Sequence, residues 1–136
     1  MLIDTNVWSE LRKPDPDKCV SAFMDENGKS CFLSTIVLSE IEYGIAKATD
    51  PAHRRNLLAW FAAIHVWCED RMLEPDQATA AIWGKLKASL EARGKPIADM
   101  DLLIASQAIA AGMPLVTRNF SDMVRTGARI INPLTA

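Results

Sequence analysis

The sequence predicts an α/β fold, a short parallel β-sheet flanked by helices. Two observations carry that expectation. Short apolar runs alternate along the 136 residues with longer segments of helical periodicity, and no repeat, low-complexity tract or long linker interrupts them. Apolar residues make up 49% of the chain against 24% charged, a balance that sustains a core and lies far from the composition of disorder. The length leaves room for one domain, residues 1–136.

Each element has a local reason. Met1-Leu2-Ile3 is a buried strand stopped by Asp4-Thr5-Asn6, a loop rich in helix-capping side chains. A short helix over Val7 to Arg12 is broken by Pro14 and Pro16, and Asp17 caps a second through Cys19, Val20, Phe23 and Met24 to Gly28. Cys31-Phe32-Leu33 is the next strand. From Thr35 to Lys47, Leu38, Ile41 and Ile45 keep helical spacing despite β-branched neighbours. Asp50-Pro51 opens a helix from Arg54 to about His65, whose Leu57, Leu58, Trp60, Phe61 and Ile64 are wider than one buried stripe requires. That excess suggests a face for a partner. Met72-Leu73 is a third short strand, and Asp76 caps a helix from Ala78 to Ala92 closed by Gly94. Leu102 to Ala111 is an alanine-rich, almost wholly apolar helix stopped by Gly112, to be buried on most sides. Pro114 to Thr117 is an internal strand followed by a polar loop, and Arg129-Ile130-Ile131 is the last.

Composition excludes several classes of function. A formal charge of -2 argues against binding nucleic acid by bulk electrostatics, so any such role is local. Cys19, Cys31 and Cys68 are an odd number without metal-ligand spacing, which indicates neither a disulfide framework nor a zinc site. His53 and His65 lack a nearby nucleophile and offer no histidine-based mechanism. Trp8, Trp60, Trp67 and Trp83 are too scattered for a base-stacking platform and read as packing residues. With no secretory pattern and no long apolar run, the expected location is the cytoplasm, away from the membrane.

Ligands of an open parallel sheet bind beyond the carboxyl ends of its strands. Asp4 follows the first strand, Glu40 lies about two turns into the helix after the second, Asp101 heads the buried helix, and Asn119 follows Leu115-Val116. Taken singly, Asp4 and Asp101 are explained as helix caps. Glu40, set among Ile36, Val37, Leu38 and Ile41, needs something to neutralise it. Carboxylates that converge repel one another, and a hard divalent cation such as Mg²⁺ or Mn²⁺ relieves the repulsion and can polarise a phosphodiester. Arg12, Lys13 and Arg118 fall at the same sheet edge, where they either touch RNA phosphates or remain solvated.

The motifs Ile3-Asp4-Thr5-Asn6-Val7 with Ser9-Glu10, Ser39-Glu40 with Tyr43-Gly44, Asp101-Leu102-Leu103-Ile104-Ala105, Val116-Thr117-Arg118-Asn119 and Asn132-Pro133 together resemble PIN-domain proteins of the VapC/FitB toxin type. The resemblance spans nearly the whole chain. It implies a three-layer fold and Mg²⁺- or Mn²⁺-dependent endoribonuclease activity. It also implies a homodimer and a small DNA-binding antitoxin that silences the toxin and carries the complex to its operator. Asp4, Glu40 and Asp101 match the family's acids, Thr117 its hydroxyl at the strand end, and Asn6 the polar companion of the first acid. The fourth acid of the family is Asn119 here. The expectation is then one ion held mainly by Asp4 and Asp101, with Glu40 acting through water and the Asn119 carboxamide oxygen ligating the ion or orienting its water; Asp99 or Asp122 fills the fourth position if Asn119 does not.

Two rival enzyme types also place an aspartate after the first strand. A haloacid-dehalogenase-like site wants a second acid where Asn6 stands, and a response-regulator receiver wants paired acids in that loop and a late lysine. A rival of another class is a module whose changed fourth position has ended catalysis, leaving a co-repressor bound to its DNA-binding partner.

Overall fold

A computed structural model of the chain describes residues 1–135. Its five strands are β1 (Leu2–Ile3), β2 (Leu33–Ser34), β3 (Met72–Leu73), β4 (Leu115–Val116) and β5 (Ile130–Ile131). Every pairing is parallel. Leu2 lies opposite Leu115, Leu115 opposite Ile130, and Leu33 opposite Met72. A parallel bridge between Leu2 and Phe32, with Phe32 N–H donating to the Met1 carbonyl at 2.8 Å, joins the two groups of strands. The order is therefore β3-β2-β1-β4-β5. The chain leaves β1 toward one edge and returns to β4 on its other side, so the topological switch point lies between β1 and β4.

Successive residues of β1 and of β4 are fully buried, which requires helices on both faces of the sheet, hence three layers. The helices are α1 (Thr5–Leu11), α2 (Lys18–Asn27), α3 (Thr35–Lys47), α4 (Pro51–Trp67), α5 (Gln77–Ala92), α6 (Asp99–Ala110) and the short α7 (Phe120–Met123). The main core joins Leu2, Ile3, Leu33, Leu115 and Val116 to Val7, Val20, Val37 and Ile104, and a smaller cluster of Leu90, Ile97 and Leu102 locks α5 to α6. Side-chain caps start most helices. Asp17 accepts from Cys19 N–H at 2.8 Å, Ser34 from Ile36 N–H at 3.0 Å, and Asp76 from Thr79 N–H at 2.9 Å.

Four elements differ from the sequence expectation in ways that matter. Helix α1 starts at Thr5 rather than Val7, because Asp4 takes the N-cap position and draws Thr5 and Asn6 into the first turn. Helix α6 starts at Asp99, so Asp101 sits inside the first turn, where the helix dipole favours its charge, rather than ahead of the helix. The loop after β4 coils into α7. Helix α4 extends at both ends of the expected range. Leu57 and Ile64 are buried, while Leu58, Val66 and Trp67 stay 47%, 75% and 43% exposed. Among the described residues, no helix is long and apolar enough to cross a membrane.

Candidate active site

Asp4 ends β1 and caps α1 at the switch point, only 4% exposed. Its Oδ1 accepts from Thr5 N–H at 2.7 Å, and its Oδ2 accepts from the Thr117 hydroxyl at 2.7 Å and from Asn6 Nδ2 at 3.2 Å. Thr117, at the end of β4 and fully buried, also accepts from Asn6 Nδ2 at 3.1 Å and from Asn119 N–H at 3.0 Å. Asn6 closes the ring by accepting Arg118 N–H at 3.1 Å. This lattice ties the ends of adjacent strands together and fixes the first carboxylate. Burial pushes the Asp4 carboxyl above its ordinary value, against the pull of the Thr117 and Thr5 hydrogen bonds, and the Asp101 charge pushes it further.

Asp4, Glu40 and Asp101 line one open cleft of about 370 Å³ together with Thr5, Asn6, Ser9, Glu10, Lys13 and Arg118. Glu40 comes from the middle of α3 and Asp101 from the first turn of α6, and both are half-buried. The Glu40 carboxyl is raised by burial and by the charges of Asp4 and Asp101. The nearby Thr5 hydroxyl works against that rise, although it is buried without a partner in full hydrogen-bond geometry. Asp101 is raised by burial and by the charge of Asp122. Three carboxylates from separate elements thus face one cleft, each reluctant to ionise, and two of them are raised further by another member of the set.

Such a donor set, carboxylate oxygens and a hydroxyl without imidazole or thiolate, fits a hard divalent cation rather than zinc. Among the described residues, no three His, Cys, Asp or Glu side chains stand close enough to form a ready cage. A cation that keeps most of its waters and takes one or two carboxylates does not require one.

The remaining residues divide clearly. The Asn119 carboxamide is outside the groups lining the cleft, and its backbone N–H is what joins the Asp4 lattice. Asp99 is held by Lys87 at 2.6 Å. Asp122 pairs with Arg125 at 2.7 Å yet lies near enough to Asp101 to raise it. Arg12 stacks over Trp60 at 5.6 Å, whereas Lys13 and Arg118 reach the cleft. Sequence reasoning placed Asn6 beside Asp4 and Lys13 at this sheet edge but gave no role to Ser9 and Glu10, which complete a polar stripe along α1 and just past its end. These residues line the cleft at helical spacing while Val7, Trp8 and Leu11 pack inward. That periodicity was the available signal.

Fold and cleft define a class: a three-layer parallel α/β domain with an acidic site at its switch point. The family model of the PIN domain matches residues 1–127, and the chain belongs to the PIN-domain family. It is 32% identical to the VapC ribonuclease Y4jK of Sinorhizobium fredii, over 98% of this chain and 96% of that protein. The crystal structure of FitAcB from Neisseria gonorrhoeae superposes with a TM-score of 0.89 at 28% identity, covering 99% of both chains. That of VapBC2 from Rickettsia felis bound to a DNA fragment from its promoter gives 0.83 at 25% identity, covering 96% of both.

Proposed function

We propose that this chain, acting as one catalytic domain, is the endoribonuclease toxin of a toxin–antitoxin module, dependent on Mg²⁺ or Mn²⁺. The observation that carries the reading is the convergence of Asp4, Glu40 and Asp101 in one cleft at the switch point. Membership of the PIN-domain family and likeness to a VapC ribonuclease support RNA as the substrate. Asp4 and Asp101 would hold the ion directly and Glu40 through water, and the bound ion would polarise the scissile phosphate and lower the pKa of the attacking water.

The chain's own residues have separable tasks. Thr117 and Asn6 hold Asp4 in one orientation, so that its carboxylate needs no reorganisation during the reaction. Glu40, whose carboxyl is raised above its ordinary value by burial and by the charges of Asp4 and Asp101, stands in the cleft as the base for the attacking water. Arg118 and Lys13 offer positive charge to the RNA backbone.

The uncovered apolar face of α4 supports a protein partner. Trp8, Leu11, Trp60, Ala63, Ile64 and Trp67 line a groove of about 260 Å³ at which Trp67 stays 43% exposed. A small DNA-binding antitoxin and a second copy of the toxin are the partners of this reading, which likeness to VapBC2 bound to a promoter DNA fragment supports, and the cytoplasm is its compartment.

The test is cleavage of RNA by the purified chain with Mg²⁺ or Mn²⁺. Activity should vanish in Asp101→Asn and in EDTA while circular dichroism stays unchanged. Cleavage that survives both treatments overturns the reading. A wild-type chain that cleaves no RNA but still binds operator DNA with its partner supports the co-repressor alternative instead.

A further inference from the structure

Glu10 is a carboxylate that the metal chemistry does not use, yet it lies at the rim of the same cleft and is only 4% exposed. Its acceptor capacity is already committed. Oε1 accepts from Asp17 N–H at 3.0 Å, and Oε2 accepts from Lys13 Nζ at 2.6 Å and from Arg118 Nη1 at 2.7 Å. These donors hold the Glu10 carboxyl below the ordinary carboxylate range, the Lys13 hydrogen bond most of all, so it stays charged where Asp4, Glu40 and Asp101 resist ionisation. A fully paired carboxylate is a poor metal ligand, which removes Glu10 as the replacement for the family's fourth acid.

What Glu10 does is hold two cations from distant parts of the chain, Lys13 one turn along and Arg118 after β4, in the cleft that the acids also line. Left alone, two like charges on long side chains repel and swing into solvent, and ordering each on RNA binding would carry an entropy cost. Arg118 spends one guanidinium nitrogen on Glu10. Among the described residues, its Nε and Nη2 donate no hydrogen bond, and its side chain remains 36% exposed. The fork therefore retains donors for a phosphate.

We propose that Glu10 is a positioning residue that builds a preformed two-cation clamp, Lys13 and Arg118, for the two RNA phosphates next to the scissile one. The proposal rests on the ribonuclease reading above. On it, Glu10 raises RNA affinity although it adds negative charge to the binding face. A merely electrostatic role predicts the opposite sign.

The experiment measures binding of a fluorescent single-stranded oligoribonucleotide across a salt series, in the Asp101→Asn background so that nothing is cleaved. Each phosphate contact on a single strand contributes about 0.7 to the slope of log affinity against log salt. Adding Glu10→Gln should weaken binding about tenfold and flatten the slope by roughly 1.4, the loss of two contacts. Calorimetric Mn²⁺ affinity, measured in the otherwise wild-type chain, should not change with Glu10→Gln. Arg118→Gln should produce part of the RNA loss alone, and Glu10→Gln added to a Lys13→Gln, Arg118→Gln double variant should produce none.

Unchanged or tighter RNA binding by Glu10→Gln overturns the clamp. So does a Mn²⁺ affinity that falls with it, which would make Glu10 a ligand, or a loss of RNA affinity fully additive with those of Lys13 and Arg118. If Glu10→Gln is poorly folded by circular dichroism, the Lys13 and Arg118 single variants decide by their slopes: a fall of about 0.7 each supports the clamp, and no fall overturns it. Failure of the Asp101→Asn parent to bind RNA at any salt overturns the ribonuclease reading itself, an outcome distinct from the rest.

Discussion

Thr117 shows how much rests on a single hydroxyl. Thr117→Val keeps the shape but removes the donor to Asp4 Oδ2 and the acceptor for Asn119 N–H and Asn6 Nδ2. Loss of a buried hydrogen bond to a charged group costs about 1.5–3 kcal/mol, so a matching fall in unfolding free energy is expected by urea denaturation. The same hydrogen bond pulls the Asp4 carboxyl down, and its loss lets burial raise that group further. The acidic limb of the pH–rate profile should therefore move to higher pH.

Asp101 carries a prediction of opposite sign for stability. Its folded-state pKa is raised by burial and by Asp122, so between the ordinary carboxylate value and the raised one the native state binds more protons than the unfolded state. Its favourable contribution is present in full below the ordinary value and is lost as pH rises through the raised value. Asp101→Asn should accordingly raise Tm of the metal-free chain at pH 7 while abolishing cleavage. The gain should be small, about 1–3 °C, since the group is half-exposed and screened by solvent. A lowered Tm in a thermal melt would show that Asp101 serves the fold first.

At the scale of elements, the contact between the end of α2 and the end of α4 is held by one arginine. Arg71 donates through Nη1 to the Gly28 carbonyl and to the Cys31 carbonyl at 3.1 Å, and through Nη2 to the Trp67 carbonyl at 2.7 Å. It also lies over the Trp67 ring at 5.4 Å, and Trp67 meets Trp8 edge-on at 5.5 Å. A lysine cannot span three carbonyls from one planar fork, so Arg71→Lys should destabilise the chain by about 1–3 kcal/mol. A Cβ at Gly28 would approach Trp67 Cζ2 to 2.7 Å, and that indole has neighbours on both sides. Gly28→Ala should cost about 1–3 kcal/mol as well. Chemical denaturation of each variant checks both, and RNA cleavage per folded molecule should stay unchanged because neither residue reaches the cleft.

For the whole molecule, the acidic site is a source of strain that an ion would relieve. Three carboxylates raised by burial make folding less favourable at neutral pH than at mildly acidic pH, whereas Glu10, held low by its cations, contributes stability that is lost only as pH falls below the ordinary carboxylate range. A cation bound only by the native state stabilises it by about 2.7 kcal/mol at a concentration a hundredfold above Kd. Mn²⁺ should thus raise Tm by several degrees at pH 7, and less at pH 5, where protons compete for the same oxygens. A Tm indifferent to Mn²⁺ at both pH values, with EDTA as the reference, would deny the site its ion.

The α/β class, the Asp17, Asp50 and Asp76 caps and the acids Asp4, Glu40 and Asp101 next to apolar segments were legible in the sequence. These are local properties: alternating apolar runs, an Asp before a helix, and a carboxylate that its own neighbours cannot satisfy. The resemblance of its motifs to PIN-domain toxins was legible too, and the family match confirms it. Tertiary structure alone decided the strand order, and with it the meeting of Asp4 and Thr117 across 113 positions of sequence. It showed Asn119 joining the site through its backbone, Asp99 tied to Lys87, and Glu10 drawn into the cleft by Arg118 from 108 positions away. The physical reason is that strand pairing depends on proximity in space, which the path of the chain between β1 and β4 sets and no local run of residues records.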